Sequence, residues 1–185
     1  FLSATGRKFL RGPRGTGFLY ASRAAMEHHE PPVLDLHSAE WVAADRYEMH
    51  KSARRYENWE NYIAGKIGLG VAADYAMSFG LDAIAERNSE LAGDLRERLA
   101  AIPGVTLRDA GRERCAIVTF SHERYEPEEV VARLAAQDII IGNSGRSSTR
   151  LDFESRDLPA LCRAAVHYLN TEEEIARLAA AIAAL

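Results

Sequence analysis

Ser3-Ala4-Thr5-Gly6-Arg7-Lys8, followed by Gly12-Pro13-Arg14-Gly15-Thr16-Gly17 and the apolar run Phe18-Leu19-Tyr20, is the stretch on which the reading of this chain turns. Small hydroxyl residues and glycines let backbone N–H groups come close to an anion, and Arg7 adds a charge-assisted donor. The lysine does not close a glycine cluster, so the pattern is no Walker loop. The three residues after Gly17 are predicted to form a short buried strand fed by this loop. Lysine is otherwise scarce, with Lys8, Lys51 and Lys66 the only three among 23 basic residues. Arginine keeps its proton at ordinary pH, whereas a desolvated or cation-flanked lysine becomes a nucleophilic amine. Composition alone leaves two readings of the loop, a solvated basic turn or a reactive amine beside an anion site.

Outward from the loop, Pro31 and Pro32 break any helix, and residues 33–41 alternate too irregularly for more than a loop with some extended character. From Tyr62 the residues Ile63, Ile67, Val71 and Tyr75 recur every four, as one face of a helix requires, and Gly80 is its expected C-cap. Asp82 is the expected N-cap of a second helix striped by Ile84, Leu91, Leu95, Leu99 and Ile102, which Pro103-Gly104 ends. Beyond it the period changes. Strands are predicted at residues 105–107, 115–120, 139–141 and 161–166, with a helix starting near Pro127. Thr171 and Glu174 form a capping box opening a last helix through Ile175, Leu178, Ile182 and Leu185. Helix, two strands, helix, two strands, helix makes a layer of helices on a small sheet.

Bulk properties set the class. At 185 residues and 47% hydrophobic the chain has enough apolar material for a sizeable core. Its net charge of -4, from well-mixed acids and bases, provides no overall cationic field for nucleic acid and none for an anionic membrane surface. No apolar run approaches the roughly 18 residues of a membrane span, and a soluble, cytoplasmic protein is the expectation. Cys115 and Cys162 sit in apolar runs without metal-like spacing and read as buried thiols, with no metal site. The opening at Phe1-Leu2 suggests entry in mid-domain, so the chain is expected to be a fragment.

With these residues in view, the loop and strand from Ser3 to Leu19 resemble the signature around the cofactor lysine of the class V aminotransferases. The resemblance continues in the family's order at Arg55-Tyr56-Glu57, at residues 65–70, and from Cys162-Arg163-Ala164 to Asn170-Thr171-Glu172-Glu173-Glu174. It implies an α/β fold, the C-terminal part of a fold-type I pyridoxal-phosphate transferase. Residues 1–80 would be the end of the large cofactor domain and residues 81–185 a small α+β domain. It implies that Lys8 forms the Schiff base with pyridoxal 5'-phosphate, that Thr5 and Arg7 contact the phosphate, and that Arg163 grips the carboxylate of an amino-acid substrate. A homodimer is implied as well. Arg7 stands where many relatives have histidine, and Trp59-Glu60 stand where many carry a Gly-Thr pair that reaches the partner's cofactor.

The function expected on this reading is a pyridoxal-phosphate enzyme acting on an amino acid by carbon–sulfur lyase, epimerase or aminotransferase chemistry. Persulfide-forming cysteine desulfurase is excluded at this stage. Counting back from Arg163 without gaps, the place of those enzymes' sulfur-accepting cysteine falls on Ser148, in the loop Gly142-Asn143-Ser144-Gly145-Arg146-Ser147-Ser148. A serine hydroxyl is no acceptor for sulfane sulfur. The alternative is a non-catalytic module, either a polyanion-binding patch of Arg7, Lys8, Arg11 and Arg14 or a dimerisation unit.

Overall fold

The computed structural model describes all 185 residues, and the chain divides into two compact units, Phe1–Phe79 and Gly80–Leu185. No single helix is long and apolar enough to cross a membrane.

In the first unit, β1 (Leu2–Thr5) and β2 (Gly17–Tyr20) form an antiparallel ribbon that pairs Thr5 with Gly17 and Leu2 with Tyr20. The quoted loop is therefore the connection between two paired strands. The strand at Phe18 is present, but burial is not: Phe18, Leu19 and Tyr20 are all exposed, because a two-stranded ribbon leaves both faces bare within this chain. A six-residue helix α1 (Arg23–His28) follows, capped by the Ser22 side chain accepting from the Ala25 N–H. A second hairpin, β3 (Ala39–Ala43) with β4 (Arg46–Met49), replaces part of the expected loop. The helix α2 (Ile63–Phe79) runs as its period predicts and stops at Gly80, whose φ of 88° is cheap only for glycine. Its stripe of Ile63, Ile67, Val71 and Tyr75 is exposed, so periodicity found the helix and not a burying partner.

The second unit is a four-stranded antiparallel sheet in the order β5 (Val105–Leu107), β6 (Ile117–His122), β8 (Leu161–Ala165), β7 (Gly142–Ser144). Three helices pack on it, α3 (Leu81–Ala100), α4 (Pro127–Ala135) and α6 (Glu172–Ala183), with a short α5 (Arg150–Ser155) between β7 and β8. One core joins Leu91, Leu95 and Leu99 of α3 to Val118 and Phe120 of β6, Val130 and Leu134 of α4, Cys162 of β8 and Ile182 of α6. Asp82 lies within the first turn of α3 instead of capping it; the cap residue is Gly80, with no side-chain bond. Pro127 opens α4 where its missing N–H costs nothing, and the Thr171/Glu174 capping box is formed in both directions.

Two strand expectations shift. Residues 139–141 are an extended connection, with Ile139 and Ile141 turned to the core, and β7 begins only at Gly142. Asp138, at φ 57°, turns the chain out of α4 while the Ile139 N–H still bonds the Leu134 carbonyl, so the isoleucines arrive before the ladder does. Cys115 lies ahead of β6 and is exposed.

The N-terminus of α6 is tied to α3 by a two-pronged ion pair, Arg87 Nη1 to Glu172 Oε1 at 2.5 Å and Nη2 to Oε2 at 3.1 Å, with Nη2 also reaching the Asn170 carbonyl. The Arg87 hydrogen bond holds the Glu172 carboxyl down at about 2. A folded value below the unfolded one means stability that is complete above about 4.5 and is lost as pH falls toward about 2. Acid titration of stability is therefore expected to be shallower in Glu172→Gln over that window, read by circular dichroism; identical curves would remove this clamp from the acid response.

Candidate functional site

The Lys8 loop is shaped by its backbone. The Gly6 N–H bonds the Thr16 carbonyl at 2.9 Å, the Gly12 N–H bonds the Gly6 carbonyl at 2.9 Å, and the Thr16 hydroxyl donates to the Pro13 carbonyl at 2.6 Å. Gly6 is buried, and a Cβ there would lie 2.5 Å from Leu69 Cδ1 and 2.7 Å from Thr16 Oγ1, so the close approach of α2 to the loop requires glycine. Lys8 starts a turn in which its carbonyl accepts from the Arg11 N–H at 2.9 Å, with Arg11 at φ 57°. The side chains of Thr5, Arg7 and Lys8 are all exposed, an amine flanked by a hydroxyl and a guanidinium on a loop held from behind. That donor set fits a phosphate-bearing aldehyde: the hydroxyl and guanidinium suit the dianion and the amine suits the carbonyl.

Beside the loop lies a cavity of about 470 Å3 lined by Thr16 and Gly17, and also by Arg54, Glu57, Asn58 and Lys66. Tyr56 and Glu57 line it, and the run Arg55-Tyr56-Glu57 is fixed by three different attachments. Arg55 donates to the carbonyls of His50 (2.7 Å) and Met26 (2.8 Å), the Tyr56 hydroxyl donates to the His29 carbonyl (3.1 Å), and Glu57 meets His37 (3.1 Å). Asp35 accepts backbone N–H bonds from Trp59, His37 and Ser38, and these hold its carboxyl below the usual range. Spacing alone did not reveal Asp35 as the organiser of this segment. Its partners lie up to 24 residues away, and only the D-x-H-S local turn left a trace.

In the second unit, Arg163 sits on β8 opposite Thr119 of β6 and Gly142 of β7. Strand alternation sends Cys162 and Ala164 into the core and Arg163 to the other face of the sheet. The Arg163 Nε is buried without a hydrogen-bond partner, a cationic donor in want of an acceptor. Ser148 is exposed in the turn after β7, its N–H bonded to the Gly145 carbonyl. Cys162 is fully buried and desolvation pushes its thiol up to about 12, with Glu128 adding a smaller push. A native chain is thus expected to lose one thiol, Cys115, to a maleimide at neutral pH and the second only after unfolding. Peptide mass spectrometry locates the adduct, and rapid labelling of Cys162 in the native state would contradict the burial.

These elements, a lysine loop on a strand ribbon followed by a helical layer on an antiparallel sheet, define the C-terminal portion of a fold-type I pyridoxal-phosphate enzyme. The fold is that of a cysteine desulfurase from Thermococcus onnurineus NA1, with a TM-score of 0.85 at 24% identity over 98% of this chain and 46% of that one. The aminotransferase class-V model matches residues 1–178, and the chain belongs to that family, whose cofactor is pyridoxal phosphate. A probable cysteine desulfurase of Xylella fastidiosa strain 9a5c is 33% identical over 98% of this chain and 43% of its own length. Another from Halalkalibacterium halodurans is 31% identical over 97% of this chain and 43% of its own length. The chain thus spans under half the length of the curated relatives it matches.

These names overturn one expectation. Cysteine desulfurase was excluded on the serine at position 148, yet the relatives that match nearly the whole chain carry that name. The exclusion rested on one position counted without gaps across a segment where the structure places an unforeseen helix, α5, between Ser148 and β8. One residue on an exposed turn is weaker ground than similarity across the whole chain.

Proposed function

We propose that the chain is the C-terminal part of a pyridoxal-phosphate enzyme of the cysteine desulfurase type, taking sulfur from a cysteine-like amino acid. The observation that carries this is the union of the Lys8 loop with similarity over 97–98% of the chain to proteins of that name. Phe1–Phe79 is the end of the cofactor domain and Gly80–Leu185 the small domain.

Thr5 and Arg7 would hold the phosphate, and the Lys8 Nζ would hold the cofactor at its aldehyde carbon. When bound, the cofactor ring supplies an electron sink for bonds broken at the substrate's α and β carbons. The Lys8 amine would carry the proton to and from the α carbon, a task arginine cannot perform because it stays protonated. Arg163 pairs with the substrate carboxylate and fixes which bond at the α carbon is aligned for cleavage. The bare stripe of Ile63, Ile67, Val71 and Tyr75 on α2 is apolar surface for the rest of a relative-length chain or a second subunit to cover, in keeping with a homodimer.

The test is to supply the parent enzyme, loaded with pyridoxal phosphate, with cysteine. With an added thiol as acceptor and two-electron reductant, alanine is expected to form in step with sulfide, and Arg163→Ala is expected to weaken cysteine by about 1.5 to 3 kcal/mol, the worth of a charged hydrogen bond. Turnover of amino acids without any sulfur release would reject the assignment.

A further inference from the structure

His37 is held by two groups whose chemistry leaves its neutral ring one tautomer. Arg54 Nη2 lies 3.3 Å from His37 Nδ1, and Arg54 Nε donates to the His37 carbonyl at 3.1 Å. A guanidinium only donates, so Nδ1 must accept and the ring proton must be on Nε2. Nε2 faces Glu57 Oε2 at 3.1 Å, an acceptor. The neutral Nε2–H tautomer therefore satisfies both contacts. An imidazolium satisfies only one, because its Nδ1–H would face an Arg54 N–H and add a second positive charge beside it. Arg54 cannot relieve this by losing its own proton.

The consequences reach the cavity beside the Lys8 loop. Arg54 and Glu57 both line it together with Thr16, Gly17 and Lys66. The charged groups facing His37 are Arg54 and Glu57, with Asp35 accepting from its backbone N–H at 2.8 Å. Trp59 stands edge-on to the imidazole with ring centres 5.9 Å apart, and its own N–H is fixed to Asp35 at 2.7 Å. The His37 side chain is 24% exposed, so protons have access.

We propose that His37 is a proton-operated latch on this cavity wall: neutral, it ties the Arg54 Nη2 and Glu57 together across the 35–38 turn, and protonated, it keeps Glu57 and releases the Arg54 Nη2, leaving Arg54 held only through Nε on the His37 carbonyl. The latch depends on these residues alone and holds whatever reaction the parent catalyses.

The experiment is nitrogen-detected NMR of the full chain from pH 8 to pH 5, with a parallel fluorescence titration of a Trp41→Phe chain in which Trp59 is the only tryptophan. At pH 8 the His37 ring is expected as the Nε2–H tautomer. On acidification Trp59 emission is expected to change in a one-proton step, and the Arg54 guanidinium resonances to move with the same midpoint. His37→Gln should abolish the step. An Nδ1–H tautomer at pH 8, a Trp59 step that survives His37→Gln, or Arg54 resonances that stay still through the His37 transition would each overturn the latch. The tautomer and Arg54 readings use the unaltered chain, so they stand even if a variant fails to fold.

Discussion

Lys8→Ala in the parent enzyme is expected to leave the fold intact, to abolish borohydride-stable attachment of the cofactor, and to lower turnover by at least roughly 10² to 10⁴-fold, the worth of a positioned proton-transfer base. The fold survives because the Lys8 side chain is exposed and its structural contribution is a backbone carbonyl bonded by the Arg11 N–H, which alanine keeps. Lys8→Arg is the sharper variant. It preserves the charge beside Arg7, so a site that merely needed cations would retain function, whereas a site that needs an amine able to lose its proton would not. Mass spectrometry of the reduced protein and a single-turnover assay read the two effects separately. A variant with native turnover would take the chemistry away from Lys8, and native turnover in Lys8→Arg alone would show that the position needs only a positive charge.

The second large effect lies far from that loop. Arg96 on α3 is 7% exposed and pairs with Asp109 at 2.7 Å, while its Nη2 donates to the carbonyls of Cys115 (2.7 Å) and Ile117 (3.2 Å). It is the polar rivet between α3 and the segment leading into β6. Arg96→Ala removes the only countercharge bonded to Asp109 and leaves two carbonyls without that donor, so a loss of about 3 to 5 kcal/mol is expected, as when one member of a buried pair is deleted. Asp109→Ala should cost less, because Arg96 keeps both carbonyl acceptors. Urea unfolding of the two variants measures the difference, and equal or negligible costs would show that the pair carries no such weight.

Residues that act through near neighbours were readable in advance. The capping box needs only Thr171 and Glu174 three positions apart, the stripe of α3 only its own period, and the loop around Lys8 only its glycines and its lone lysine. Each is a local rule, because capping and helix period involve atoms within a turn or two of chain. The family followed from several such motifs in order, and the match to residues 1–178 agrees with it. Exclusion of one activity from a single serine asked more of one position than a sequence can carry.

What needed the fold were contacts whose partners are distant in sequence. The grip of Arg96 on Asp109 and two carbonyls spans up to 21 residues, and the clasp of Asp35 on Trp59 spans 24. Residues 139–141 have the composition of a strand, but the ladder to β8 goes to Gly142–Ser144, since which segment pairs is decided by where the α4 turn releases the chain. The apolar character of Phe18–Tyr20 and of the α2 stripe was read correctly, whereas their exposure was not legible: hydrophobicity records that a surface seeks cover, and only the packing of the chain shows whether cover is present.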